Sequence, residues 1–92
     1  MIRDAGDRLE VSGALTLDAA RSLLESGSSQ LRSGETVFDL SAVSEVDSSG
    51  LAVIFGWQRA ATQAGGTIRI ANPPQSLVSL ATLYGVSDLL PV

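Results

Sequence analysis

The run Val46-Asp47-Ser48-Ser49-Gly50-Leu51-Ala52-Val53-Ile54-Phe55-Gly56-Trp57 constrains this chain more than any other. An apolar, strand-like segment ends there in a small polar turn, and a helix begins directly after it. Asp and Ser are preferred N-cap types, and a helix N-terminus presents unpaired N–H groups and partial positive charge. The turn is thus either a plain cap, stabilising by about 1 kcal/mol, or a place that receives an anion. A phosphate on Ser48 or Ser49 fits there, and so does a partner's carboxylate. The helix that follows carries two apolar stripes: Leu51, Ile54, Gln58 and Ala61 form one, and Val53, Trp57, Ala60 and Ala64 the other. One stripe can face the core of the domain, which leaves the second as a candidate docking surface. The alternative for Trp57 is that it covers a sheet edge or packs on a neighbouring helix.

A chain of 92 residues has room for one domain with one modest core, so residues 1–92 are read as a single unit. A hydrophobic fraction of 45% places it among folded chains. The net charge of −4 comes from ten acidic residues and six scattered arginines. That balance argues against nucleic acid or an anionic membrane surface as a partner, since both select clustered cations. Without Cys the chain has no disulfides or thiolate chemistry, and without His it lacks the commonest general base. The N-terminal residues Met1 to Arg8 are charged throughout and contain no apolar signal core, so the expected compartment is the cytoplasm.

Alternation from Arg8 to Ser12, ending at Gly13, predicts a strand with Leu9 and Val11 inward. Thr16 stands as N-cap for a helix from about Leu17 to Arg32, with Leu17, Ala20, Leu24 and Leu31 on its apolar side. Gly27 within that helix costs about 1 kcal/mol relative to Ala and marks a potential break. Thr36 to Leu40 reads as a second strand, Ser41 to Glu45 as a loop, and Thr67 to Ala71 as a third strand ended by Asn72-Pro73-Pro74. A last helix runs from about Pro74 to Tyr84, with a short turn starting at Ser87. Alternating strands and helices with short links imply a mostly parallel sheet, and strands that are not apolar throughout imply helices on one face only.

With these elements in place the chain resembles STAS domains, the modules of anti-sigma-factor antagonists and sulphate-transporter tails. The resemblance rests on the strand Thr36 to Leu40, the segment Val46-Asp47-Ser48-Ser49-Gly50-Leu51 and the order Gly65-Gly66, strand, Pro. It covers nearly the whole chain and implies a single STAS-like α/β domain, with a mostly parallel four-stranded sheet and helices mainly on one face. Leu77-Val78-Ser79-Leu80-Ala81-Thr82-Leu83-Tyr84-Gly85, then Asp88-Leu89-Leu90-Pro91, is similar to the small STAS subunits of Mla-type phospholipid ABC transporters. The pair Ser48-Ser49 resembles the antagonists instead, because Mla subunits often carry Thr-Gly there.

The Mla resemblance implies a non-enzymatic cytoplasmic accessory subunit. Such a subunit has no cofactor, and it binds and regulates the ATPase of a transporter serving outer-membrane lipid asymmetry. Its contact is expected around Asp47, Ser48, Ser49, Gly50, Val53 and Trp57, with the Tyr84 ring half in the core and its hydroxyl available to solvent or a partner. The antagonist resemblance implies that Ser48 is phosphorylated by an anti-sigma kinase, adding about 1.5 to 2 negative charges that a desolvated interface rejects. Asp47 then either resists a second anion beside it or orders the turn by accepting backbone N–H bonds. An enzyme is disfavoured, since a Ser nucleophile needs a base and only carboxylates are present. The pair Glu45 and Asp47 is the one weak candidate for a metal and reads better as solvated.

Overall fold

A computed structural model describes residues Met1–Val92. Strands β1 (Ile2–Asp4), β2 (Leu9–Leu15), β3 (Glu35–Val46) and β4 (Thr67–Ala71) alternate with helices α1 (Leu17–Ser29), α2 (Ser48–Gln63) and α3 (Gln75–Leu83), and a 3-10 turn at Ser87–Leu89 closes the chain. The four-stranded sheet has the order β1-β2-β3-β4. The β2–β3 and β3–β4 pairs are parallel and β1 runs antiparallel on β2, so the sheet is mostly parallel as expected. The alternation seen in the sequence sorts the strands into two faces. Leu9, Val11, Phe38, Ile68 and Ile70 are buried beneath the helices and form one cluster with Leu23, Leu51, Ile54, Trp57, Leu77 and Ala81.

The opposite face is polar and is held by ion pairs. Arg3, Glu10 and Asp39 lie in one cross-strand row, with Arg3 paired to Glu10 and Arg8 reaching both Glu10 (2.8 Å) and Asp39 (3.1 Å). The Asp39 carboxylate accepts the Ser41 N–H at 3.0 Å and the Asn72 side-chain amide at 3.1 Å as well as the Arg8 bond. These contacts, the Ser41 amide first, lower its pKa from 3.8 to about 2. Asn72 supplies its bond from a left-handed backbone (φ 53°) just past the end of β4, where Asn is among the better tolerated residues.

Several elements differ from the sequence expectation. Residues 41–45 are not a loop: β3 continues through them because β2 also runs on, past Gly13 to Leu15. The added length pairs Ser12 with Ala42 and Leu15 with Val46 across two register shifts. Gly13, at φ 85°, permits the irregularity. These five residues of β3 have a strand on one side only and mostly exposed side chains, so no apolar alternation announced them. The charged N-terminus forms the edge strand β1. Helix α1 stops at Ser29, and its buried residues are Leu23 and Gly27, whereas Leu17 is 71% exposed.

Gly27 is a socket and not a break. The Trp57 indole, fully buried, stacks on Phe38 with ring centroids 4.0 Å apart and planes within 3°. Its Nε1–H donates to the Leu23 carbonyl at 3.0 Å, which satisfies the one polar atom of the ring. A Cβ on Gly27 would stand 2.2 Å from that Nε1. At the C-terminal end, Pro91 accepts the Ile70 N–H at 2.7 Å, and Val86 and Leu90 pack on the core, so the tail lies along the outer edge of β4.

Two measurements test this account. Gly27→Ala gains about 1 kcal/mol of helix propensity but overpacks the indole by about 1–3 kcal/mol or more. With the added Cβ 2.2 Å from a ring atom the overpacking falls at the upper end, so a net loss of about 1–2 kcal/mol should lower the melting temperature by about 5–15 °C, and a rise would show that Trp57 does not occupy the socket. The lowered pKa of Asp39 contributes stability that is present above its ordinary value near 4 and is lost as pH falls toward about 2. Asp39→Asn should therefore lower thermal stability at pH 6 and converge on the parent protein only as the pH falls to about 2. A constant gap across that range would contradict the assignment.

Candidate functional site

One carboxylate organises the turn that the sequence singles out. Asp47 follows β3 and is the N-cap of α2, its Oδ1 accepting the Ser49 N–H at 2.8 Å. Its Oδ2 accepts the Leu17 N–H at 3.1 Å, the first amide of α1. Thr16 occupies the N-cap position of α1, as its place in the sequence suggests, but its side chain makes no cap bond, and Asp47 performs that function from thirty residues away. The Asp47 N–H in turn donates to the Leu15 carbonyl at 3.3 Å, joining the ends of β2 and β3. Of the two roles open to Asp47 in the sequence, the geometry shows the ordering one.

Gly50 completes the joint. A Cβ there would lie 2.8 Å from the Leu15 carbonyl oxygen and 2.9 Å from a Val46 methyl carbon, so only glycine lets the first turn of α2 approach β2 so closely. Gly50 is buried, and its place in the motif is structural. Val53 (2% exposed) and Trp57 (0%) are likewise core residues, which corrects the expectation of a free second stripe. The stripe was expected to lack a cover because a chain of 92 residues has room for one modest core. In the structure α1 lies against α2 with Leu23 and Gly27 inward, so Trp57 packs on the neighbouring helix, the alternative the sequence left open for it; Val53 is buried too, while Ala60 is half-buried and Ala64 exposed.

What remains accessible is a groove of about 330 Å³ between α1 and α2. Leu17, Ala20, Arg21 and Leu24 line it from α1, and Ser49, Ala52 and Val53 from α2. The apolar lining and the exposed Leu17 suit it to an apolar side chain; no cluster of three or more His, Cys, Asp or Glu side chains gathers anywhere to hold a metal ion. Ser48, the first residue of α2, is exposed, and Ser49 is half-buried at the groove. Tyr84 caps the end of α3 and is 57% exposed; the groove is lined without it. Of the residues the sequence assigned to contact, Ser48, Ser49 and Tyr84 reach the surface, Asp47 is occupied with two backbone amides, and Gly50, Val53 and Trp57 lie inside.

The sequence reading overlooked Leu17, Arg21 and Arg59 at this surface. Arg59 lies on the outward side of α2, about three turns beyond Ser48, and it alone among the six arginines has no ion-pair partner. The signal was available: no Asp or Glu occurs anywhere between Asp47 and Asp88, so α2 and α3 carry no carboxylate in a chain that is acidic overall. No helix is long and apolar enough to cross a membrane.

Comparison with known proteins agrees with this architecture. The family model described as the Mlab STAS domain matches residues 2–91. The intermembrane phospholipid transport system binding protein MlaB of Escherichia coli K12 is 34% identical over 87 residues, covering 94% of this chain and 89% of that protein. The Haemophilus influenzae MlaB is 35% identical over 51 residues, covering 55% of this chain and 49% of that one. Among solved structures, a Thermotoga maritima protein described as an anti-sigma factor antagonist superposes with a TM-score of 0.75 at 16% identity, over 98% of this chain and 81% of the other. The unphosphorylated anti-sigma factor antagonist SpoIIAA superposes at 0.66 with 17% identity, over 90% and 81%. At those identities the likeness is one of fold, whereas the family match spans nearly the whole sequence: the chain belongs to the MlaB-type STAS domain family.

Proposed function

We propose that this chain is a non-enzymatic accessory subunit of a Mla-type phospholipid-transport ABC transporter. It docks on the transporter's ATPase at the cytoplasmic face of the inner membrane, through Ser48, Ser49 and the outward side of α2. The observation that carries this reading is the division of labour at the turn. Asp47 and Gly50 fix the two helix N-termini from within, while Ser48 stands exposed and its neighbour Ser49 lines an apolar groove. Nothing inside the domain requires Ser48 to be exposed there, and the similarity to MlaB supplies the transport system. Regulation of the ATPase follows from docking, because a subunit without nucleotide chemistry acts through differential contact with the partner's states.

The same residue supports a second reading, in which the chain is an anti-sigma-factor antagonist and Ser48 its phosphosite. An exposed hydroxyl at the first position of a helix can accept a phosphate without disturbing the fold, because the helix N-terminus favours the added charge. Modification would then act on binding and leave stability unchanged.

Affinity capture of the tagged protein from its native membranes, with mass spectrometry of the partners and of the Ser48 peptide, separates the two. An ABC ATPase recovered with its permease, and unmodified Ser48, is the expected outcome; a soluble kinase with a sigma factor, or phosphate on Ser48, would establish the second reading. On the captured partner, Ser48→Ala should bind within a few-fold of the parent and Ser48→Asp at least about tenfold more weakly. Equal affinity of all three forms would remove Ser48 from the interface. Asp47→Ala is the contrasting variant: it strips caps from two helices and is expected to cost about 1–3 kcal/mol of folding stability.

A further inference from the structure

Resting on the docking reading above, we infer that the surface formed by α2 and its groove with α1 receives an acidic, amphipathic helix of the partner. One of its apolar side chains fills the groove, and its carboxylates face Arg59 and the N-terminus of α2. Three independent observations converge on that occupant. The groove is apolar and opens at the surface, with Leu17, 71% exposed, standing at its rim. A large aliphatic side chain so exposed on the first turn of a helix gains from being covered. Arg59 has no ion-pair partner, whereas Arg3, Arg8, Arg21, Arg32 and Arg69 each have one. Finally, every Asp and Glu of the chain lies at or before Asp47 or at Asp88, so α2 carries no acidic side chain from end to end.

Charge complementarity therefore selects the partner's sign. The chain carries −4 overall, and an acidic segment would be repelled from most of its surface. Over α2 it meets a helix whose only ionised side chain is Arg59 and whose N-terminus carries partial positive charge. At 1.5 Å per residue Ser48 and Arg59 are about 16 Å apart along the axis, the length of three helical turns. The α1 side adds no free cation, since Arg21 at the groove margin is paired with Glu25 and Asp18 lies in the same helix, so Arg59 and the helix N-terminus carry the attraction. A basic or neutral helix would leave Arg59 without a counter-charge, and a basic one would be repelled by it.

The test uses the full chain and its native membranes. A photo-crosslinking residue placed at Ala52, which lines the groove and is exposed, marks the segment that covers it, and mass spectrometry reads that segment's sequence. The expected segment belongs to another protein and has at least two Asp or Glu within three helical turns beside an apolar residue. Arg59→Glu should weaken binding of that partner at least tenfold with an unchanged melting temperature. Arg59→Lys should stay close to the parent, and rising salt should weaken the parent complex but not the Arg59→Glu one. A crosslinked segment without acidic residues, a crosslink to a second copy of this chain, or equal affinity of Arg59→Glu and the parent would each overturn the inference. If Ser48→Asp abolishes binding while Arg59→Glu does not, docking at the turn stands and only the acidic helix falls. If neither variant changes binding, both fall.

Discussion

The Asp47 carboxylate is the contact on which the rest of the architecture depends. One oxygen holds the first turn of α2 and the other holds the first amide of α1, while the backbone of the same residue ties the end of β3 to the end of β2. Helix N-termini leave unpaired N–H groups that need acceptors, and here a single side chain serves two of them at once. That shared cap sets the two helices side by side at one end of the sheet, and the groove between their first turns follows from it. Gly50 is the steric counterpart, since any side chain there would push α2 away from Leu15 and open the joint.

Further along the same pair of helices, packing takes over from hydrogen bonding. Trp57 fills the space that Gly27 leaves, stacks on Phe38 from the sheet, and anchors its ring nitrogen to the α1 backbone. One aromatic side chain thus links α1, α2 and β3. In a domain of this size that contact decides the orientation of α1, because only a helix with its Leu23 and Gly27 side inward can accept the indole.

The sequence showed the order of the elements, the three parallel strands and the turn before α2, because each rests on local signals: alternation, caps and glycines at helix ends. In and just after α1 it found Ala20, Leu24 and Leu31, which do pack against the core, but it wrongly included Leu17 and left out Leu23 and Gly27, because the most deeply buried side includes a glycine whose meaning is a partner thirty residues away. Val53 and Trp57 were candidates for contact because one small core was expected to cover one stripe only; the alternative, Trp57 packed on a neighbouring helix, is what the structure has. The continuation of β3 through Ser41–Val46 was hidden because half-paired strand with exposed side chains has no apolar period. The role of Asp47 was half visible: its cap on α2 is local, but its bond to Leu17 is tertiary. Arg59 could have been found by asking where charges are absent and not where they cluster.

The bond from Ile70 to Pro91 has a consequence for how this domain can assemble. A parallel sheet with an open outer strand is a template on which another chain can add a strand, and proteins guard such edges with covering segments or with short, charged strands. Here the tail covers β4, and the opposite margin is β1, three residues long with Arg3 and Asp4 in it. Growth of the sheet into a continuous intermolecular ribbon is therefore discouraged at both margins, and association is directed to the helical layer, where side chains and not backbone decide which molecule is accepted.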